Sequence, residues 1–124
     1  MSKTRQAVVI PVSLKDKPYV TTIKDHYTAY YPIIGCRCFD MVELWEKGHK
    51  SVDCYVDDEG MINGSPVNEY WLRAYQLGIV NNPLFGICVI TMTDTNTGDS
   101  TETDLNLVKE VLRRYGFTRD ELSF

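Results

Sequence analysis

Apolar positions recur with the two-residue period of a strand along most of this chain and with the three-to-four-residue period of a helix in two places. Residues 6–12 (QAVVIPV) read as a buried strand interrupted near Pro11. Residues 19–23 (YVTTI) alternate and are rich in β-branched side chains. With SLKDK between them they predict an N-terminal hairpin. Residues 36–45 (CRCFDMVELW) read as a third strand closed by Gly48, and residues 52–56 (VDCYV) as a fourth. Asp57, Asp58, Glu59 and Gly60 form a turn, after which Met61 and Ile62 start a return strand and Asn63-Gly64 a second turn. Residues 85–92 (FGICVITM) are the most apolar run and are expected to be the central strand, followed by a polar loop over 93–100.

The helical stretches carry their own start and stop signals. Asp25 is placed to cap a short helix through Tyr30 or Tyr31, and Pro32 is expected to end it. Ser65 is placed to cap a second helix with Pro66 at its first position. Val67, Tyr70, Trp71, Ala74 and Leu77 then make an apolar stripe that stops at Gly78. The last helix starts near Thr103, with Asp104 at its positive end and Arg113 and Arg114 at its negative end. Its buried face is Leu105, Val108, Val111, Leu112 and Tyr115, and Phe117 is placed to fold back on Leu112 past Gly116. These elements predict a single α+β domain over residues 1–124: a mostly antiparallel sheet with about two main helices packed on it.

Length and composition narrow the function classes. A chain of 124 residues is too short for two independent cores, and 44% hydrophobic with 24% charged residues excludes a disordered or low-complexity chain. The net charge of −4 argues against nucleic acid as the partner. No apolar run reaches the ~18 residues of a membrane span, and the first residues do not read as a secretory signal. The expectation is therefore a cytoplasmic protein with its four cysteines, Cys36, Cys38, Cys54 and Cys88, as free and mostly buried thiols. Asn63-Gly64-Ser65 then serves as a turn rather than a glycosylation site.

Charge is unevenly spread. Residues 1–24 carry Lys3, Arg5, Lys15, Lys17 and Lys24 against Asp16 alone. Residues 51–69 carry Asp53, Asp57, Asp58, Glu59 and Glu69 with no cation, and Asp94, Asp99, Glu102 and Asp104 form a second acidic stretch. Such a distribution either steers a charged partner or keeps loops solvated. Tyr27, Tyr30 and Tyr31 fall on one helical face, which is either a packing face or a surface that stacks a base.

Motifs for chemistry are scarce. The chain has no Gly-x-Ser-x-Gly elbow, no phosphate loop and no Gly-x-Gly-x-x-Gly, and His26 and His49 belong to no metal-ligand pattern. Cys36 and Cys38 share a strand face, and with Cys54 and His49 they would be the ligands of a zinc site. Two small buried hydrophobes are the simpler account. Asp94-x-Asn96-x-Gly98 resembles the start of a calcium loop but places Asp99 where glycine belongs and Leu105 where the bidentate Glu belongs. No metal, cofactor or catalytic residue is expected.

One stretch resembles a known family. Ile34-Gly35-Cys36, then Phe39-Asp40-Met41-Val42, then the run from Tyr55 through Asp57-Asp58-Glu59-Gly60 to Asn63-Gly64-Ser65-Pro66-Val67-Asn68, then Phe85-Gly86, is similar to a domain-of-unknown-function family of small proteins common in phages, plasmids and mobile elements. The likeness covers roughly residues 30–95 and departs where Glu69-Tyr70-Trp71-Leu72 replaces the family's alanine- and threonine-rich helix. It implies an accessory protein of a phage or mobile element. The expected function is a non-catalytic binding protein that modulates or blocks a host defence factor. Its binding residues are expected to be Asp57, Asp58, Glu59, Asn63 and Asn68, brought to one edge by two turns and a helix start. The alternative is a nucleotide or nucleic-acid ligand on Tyr27, Tyr30, Tyr31 and the basic N-terminal stretch. A homodimer through an exposed sheet edge is also expected.

Overall fold

The computed structural model describes residues 3–36, 38–60 and 64–124. Among them are six strands: β1 (Thr4–Ile10), β2 (Tyr19–Lys24), β3 (Phe39–Lys47), β4 (Lys50–Asp57), β5 (Cys88–Asp94) and β6 (Ser100–Thr101). They form one antiparallel sheet in the order β2-β1-β5-β4-β3, with β6 pairing β5. The helices are α1 (Tyr30–Ile34), preceded by a 3₁₀ turn over Tyr27–Ala29, then α2 (Glu69–Gln76) and α3 (Leu105–Arg114). The expected α+β architecture holds, and β5, from the most apolar run, is the middle strand with Cys88 to Met92 all buried.

Alternation along the strands sends side chains to two unequal faces. Val8 and Ile10 of β1, Val52, Cys54 and Val56 of β4, and Ile90 and Met92 of β5 pack with Tyr70, Trp71 and Ala74 of α2 and Val108, Val111 and Leu112 of α3. The opposite face holds a smaller cluster of Ala7, Ile23 and Val89 under Tyr30 and Ile34 of α1. Trp71, nearly inaccessible, is the largest fully buried side chain in the main core.

Local chemistry accounts for several ends. Gly48 takes φ +64 in the two-residue loop between β3 and β4, where a side chain is disfavoured. Asp104 caps α3 by accepting from Leu107 N at 3.2 Å. At the other end Gly116 N donates to Arg113 O (3.1 Å) and Phe117 N to Leu112 O (3.2 Å), the Schellman closure expected from the sequence.

Other boundaries differ from the sequence reading. The first strand stops at Ile10, short of Pro11. Pro32 lies inside α1 rather than ending it; in a first turn its missing N–H costs no hydrogen bond. His26, not Asp25, caps the 3₁₀ turn, accepting from Thr28 N. Asn68, not Ser65, caps α2, and Pro66 lies before it. The reason is tertiary: Val67 bridges Phe85, Asn68 N donates to Leu84 O and Gly86 N to Pro66 O, each at 2.8 Å. That strand-like pairing holds the backbone out of the helix. Leu77, expected in the buried stripe, is 61% exposed because the helix ends at Gln76. The polar loop shrinks to residues 95–99, since Thr93 and Asp94 extend β5 and Ser100 enters β6. The expected return strand at Met61 and Ile62 lies outside the described residues.

Candidate functional site

The acidic turn after β4 is built by local backbone bonds. Glu59 N donates to Asp57 Oδ1 (2.9 Å), Gly60 N to Asp57 O (3.1 Å) and Ser65 N to Gly60 O (2.8 Å). A Cβ at Gly60 would sit 3.1 Å from Phe85 Cβ and 3.3 Å from Asp57 O, so a side chain there would make its neighbours give way. Asp57 is half-buried, whereas Asp58 and Glu59 are exposed. Asp58 N donates to Cys38 O at 3.2 Å, which ties the turn to the start of β3. Phe39 pairs with Asp57 and Asp40 with Val56, so exposed Asp40 and Met41, the latter 46% exposed, adjoin the acidic turn on the terminal strand of the sheet.

Asn68 is not an exposed member of this site. It is fully buried. Its Oδ1 accepts from Tyr70 N (3.1 Å), and its Nδ2 donates to Gly86 O (2.9 Å) and Pro11 O (3.1 Å), with Ile10 O at 3.4 Å. The side chain joins the end of β1, the approach to β5 and the first turn of α2, and all its polar capacity is spent there. Asn63 lies outside the described residues.

The three tyrosines do not share one face. Tyr30 is buried, because α1 rests on the sheet through Tyr30 and Ile34. It stacks on Tyr55 at 4.2 Å, and its hydroxyl bonds Thr91 Oγ1 at 2.9 Å and accepts from Arg5 Nη2. Tyr27 is 59% exposed, and Tyr31 is half-buried against Phe39.

Beside Tyr30 opens a cleft of about 450 Å³ with Tyr27, Phe39 and Tyr55 in its walls and Asp25, Asp99 and Ser100 around it. Its geometry follows from a split in the sheet. Val8 pairs with Ile90, but Met92 pairs with Thr101 of β6, so β1 and β5 part on the N-terminal side of Val8. Arg5 fills the split: Nη1 donates to Met92 O at 3.0 Å, and Nε lies 3.6 Å from Asp25 Oδ1. Asp25 Oδ1 also accepts from Ser100 Oγ. Close by in the sheet, Asp53 is buried and accepts from Ser51 Oγ (3.2 Å) and Thr93 Oγ1 (2.5 Å) through Oδ2. Burial above all pushes the Tyr55 hydroxyl up to about 12; Tyr30 and Asp53 add to this and Arg5 opposes it.

Tyr55 is a cleft residue that the sequence reading missed, and Asp53, close by but not in the cleft wall, is a buried polar residue it did not single out. The signal was present in the alternation Ser51, Asp53, Tyr55, which marks a polar second face of β4 opposite Val52, Cys54 and Val56.

The cysteines do not converge. Cys54 is buried in the main core against Cys88, whose sulfur contact, followed by burial, pushes the Cys54 thiol well up. Cys36 packs on the opposite face, and burial, then Asp57 and Cys38, push it up too. Cys38 is exposed, and all four are free thiols. Among the described residues no group of three or more His, Cys, Asp or Glu is arranged to hold a metal ion, and no helix is long and apolar enough to cross a membrane.

A family model described as Domain of unknown function (DUF3846) matches residues 5–116, and the chain belongs to that family. No curated protein and no solved structure matches it.

Proposed function

From a family description that assigns no activity, we propose that this chain is a non-catalytic binding protein of a phage or mobile element that modulates or blocks a host factor. It docks a basic surface of that factor on the edge made by β3 and the turn after β4. The observation that carries this reading is the exposed set Asp40, Asp58 and Glu59 beside Met41 on a strand that ends the sheet. A terminal strand offers unpaired backbone groups to a partner, and adjacent like charges repel until a cationic surface relieves them. The sequence resemblance to accessory proteins of phages and mobile elements supports the setting. One feature supports a binding rather than a catalytic role: Cys36 and Cys54 are held as thiols, the poorly nucleophilic form.

The test is capture from host lysate by the intact chain and by an Asp40→Asn/Asp58→Asn/Glu59→Gln variant. These side chains are exposed, so thermal stability is expected to hold. Capture of a stoichiometric basic partner is expected to weaken in the variant and to fall with added salt in the parent. Capture that is the same for both proteins at every salt concentration overturns the reading.

A further inference from the structure

We propose that the cleft beside Tyr27 is a site for an organic cation, filled by an arginine or lysine side chain projecting from the basic partner. The inference rests on the docking reading above and assigns that interface its anchor.

The walls are aromatic. The rings of Phe39 and Tyr55 meet at 5.5 Å and 82°, and Tyr27 stands 59% exposed at the opening. Ring faces carry negative quadrupole potential and attract ammonium and guanidinium groups. Two carboxylates line the cleft together with Arg5 and with His26, whose ring lies 4.5 Å from that of Tyr27. Asp25 and Asp99 contribute carboxylates, and Asp99 is exposed. The guanidinium in the cleft is engaged at both terminal nitrogens, while its buried Nε makes no hydrogen bond. Arg5 has only 10% of its side chain exposed and is bonded to Met92 O and the Tyr30 hydroxyl, with its Nε beside Asp25. An arriving anion therefore meets Asp25, Asp99 and a guanidinium engaged at both terminal nitrogens, while an arriving cation meets the exposed Tyr27 ring and the exposed Asp99 carboxylate.

Position ties the cleft to the docking edge. Phe39, in the cleft wall, pairs in register with Asp57 of the acidic turn. Met41 lies two residues further along β3, on the same side as Phe39. A partner lying along β3 thus reaches the cleft with a single long basic side chain.

The experiment is an amide chemical-shift titration of the intact chain with N-acetyl-arginine amide and N-acetyl-lysine amide. N-acetyl-glutamate amide and adenosine serve as the anionic and the neutral aromatic arms. Saturable shifts are expected at Tyr27, Phe39, Tyr55 and Asp99 with the two cations. Tyr27→Leu and Asp99→Asn are each expected to weaken binding about three- to five-fold, while Tyr27→Phe, which keeps the ring, holds it. Both positions are exposed, so the fold is retained. Absence of saturable shifts, shifts elsewhere, an unchanged Tyr27→Leu variant, or tighter binding of the glutamate or adenosine probe each overturns the proposal. Lysate capture by the acidic-edge variant reads the docking surface separately, so a failed anchor and a failed interface are told apart.

Discussion

Exchanging Asn68 for aspartate separates a structural asparagine from a surface one. Both residues are good helix caps, and at the positive end of α2 a carboxylate gains a little from the helix dipole. A solvent-facing cap would therefore tolerate the change. In this fold Nδ2 donates to Gly86 O at 2.9 Å and to Pro11 O at 3.1 Å, in a site with no solvent exposure. Aspartate turns those donors into an acceptor facing carbonyls. Two lost hydrogen bonds cost about 1 kcal/mol each, and the carbonyls left unsatisfied add about 1–3 kcal/mol. The sum is about 3–5 kcal/mol at pH 7, a large share of the ~5–15 kcal/mol that holds a domain together. Asn68→Ala loses the same donors and, in addition, the cap, worth about 1 kcal/mol, and is expected to cost about 4–6 kcal/mol. The aspartate variant alone should recover stability on acidification, because burial among carbonyls raises its folded pKa and protonation restores one donor. Urea unfolding followed by tryptophan fluorescence, at pH 7 and pH 4.5, measures both effects. An Asn68→Asp variant within about 0.5 kcal/mol of the parent at pH 7, or one that gains nothing at low pH, would refute this placement of Asn68.

Three further outcomes follow from the packing. Trp71→Ala should cost about 3–5 kcal/mol, since the ring is buried between α2, Tyr115 and Phe117; a loss below about 1 kcal/mol in the same assay contradicts the core described above. Arg73 pairs with Glu121 through Nη1 (2.9 Å) and Nη2 (2.6 Å) and holds its carboxyl below the usual range. The stabilisation is present above the ordinary glutamate pKa and is lost as pH falls through the lowered one; Glu121→Gln should show a shallower decline of Tm between pH 6 and pH 3, and an identical acid limb counts against the pair. Tyr55 is protonated in the fold up to about 12 against 10 when unfolded, so its contribution is complete below pH 10 and fades as pH rises between those values. Tyr55→Phe should flatten that part of the alkaline decline in urea unfolding measured at pH 9.5 and pH 11.

Much of the architecture was legible because it is locally encoded. Alternation marked the principal strands, and the run CVITM could only be a strand buried on both faces. Asp104 and Gly116 announced both ends of α3, whose cap and closure involve neighbours within five residues. Of the three consecutive acids expected at an exposed tip, Asp58 and Glu59 are exposed, whereas Asp57, still in β4 and paired with Phe39, is half-buried.

The start of α2 was not legible. Ser65 and Pro66 are sound local signals, but the pairing of Val67 with Phe85 spends their backbone on a bridge before the helix begins. Asn68, Tyr30 and Arg5 show the same limit more sharply. Each looks available for ligand in the sequence, and each is committed to an atom far along the chain: Asn68 to Pro11 O, 57 residues away, Tyr30 to Thr91, 61 away, and Arg5 to Met92 O, 87 away. Residue type and spacing determined which segments became strands and helices, because those choices are settled by side-chain period and by caps within a turn. Only the tertiary structure decided which polar groups are spent inside and which remain for a partner. That outcome depends on strand order and on the split between β1 and β5, and a buried donor takes whichever acceptor the fold brings to it.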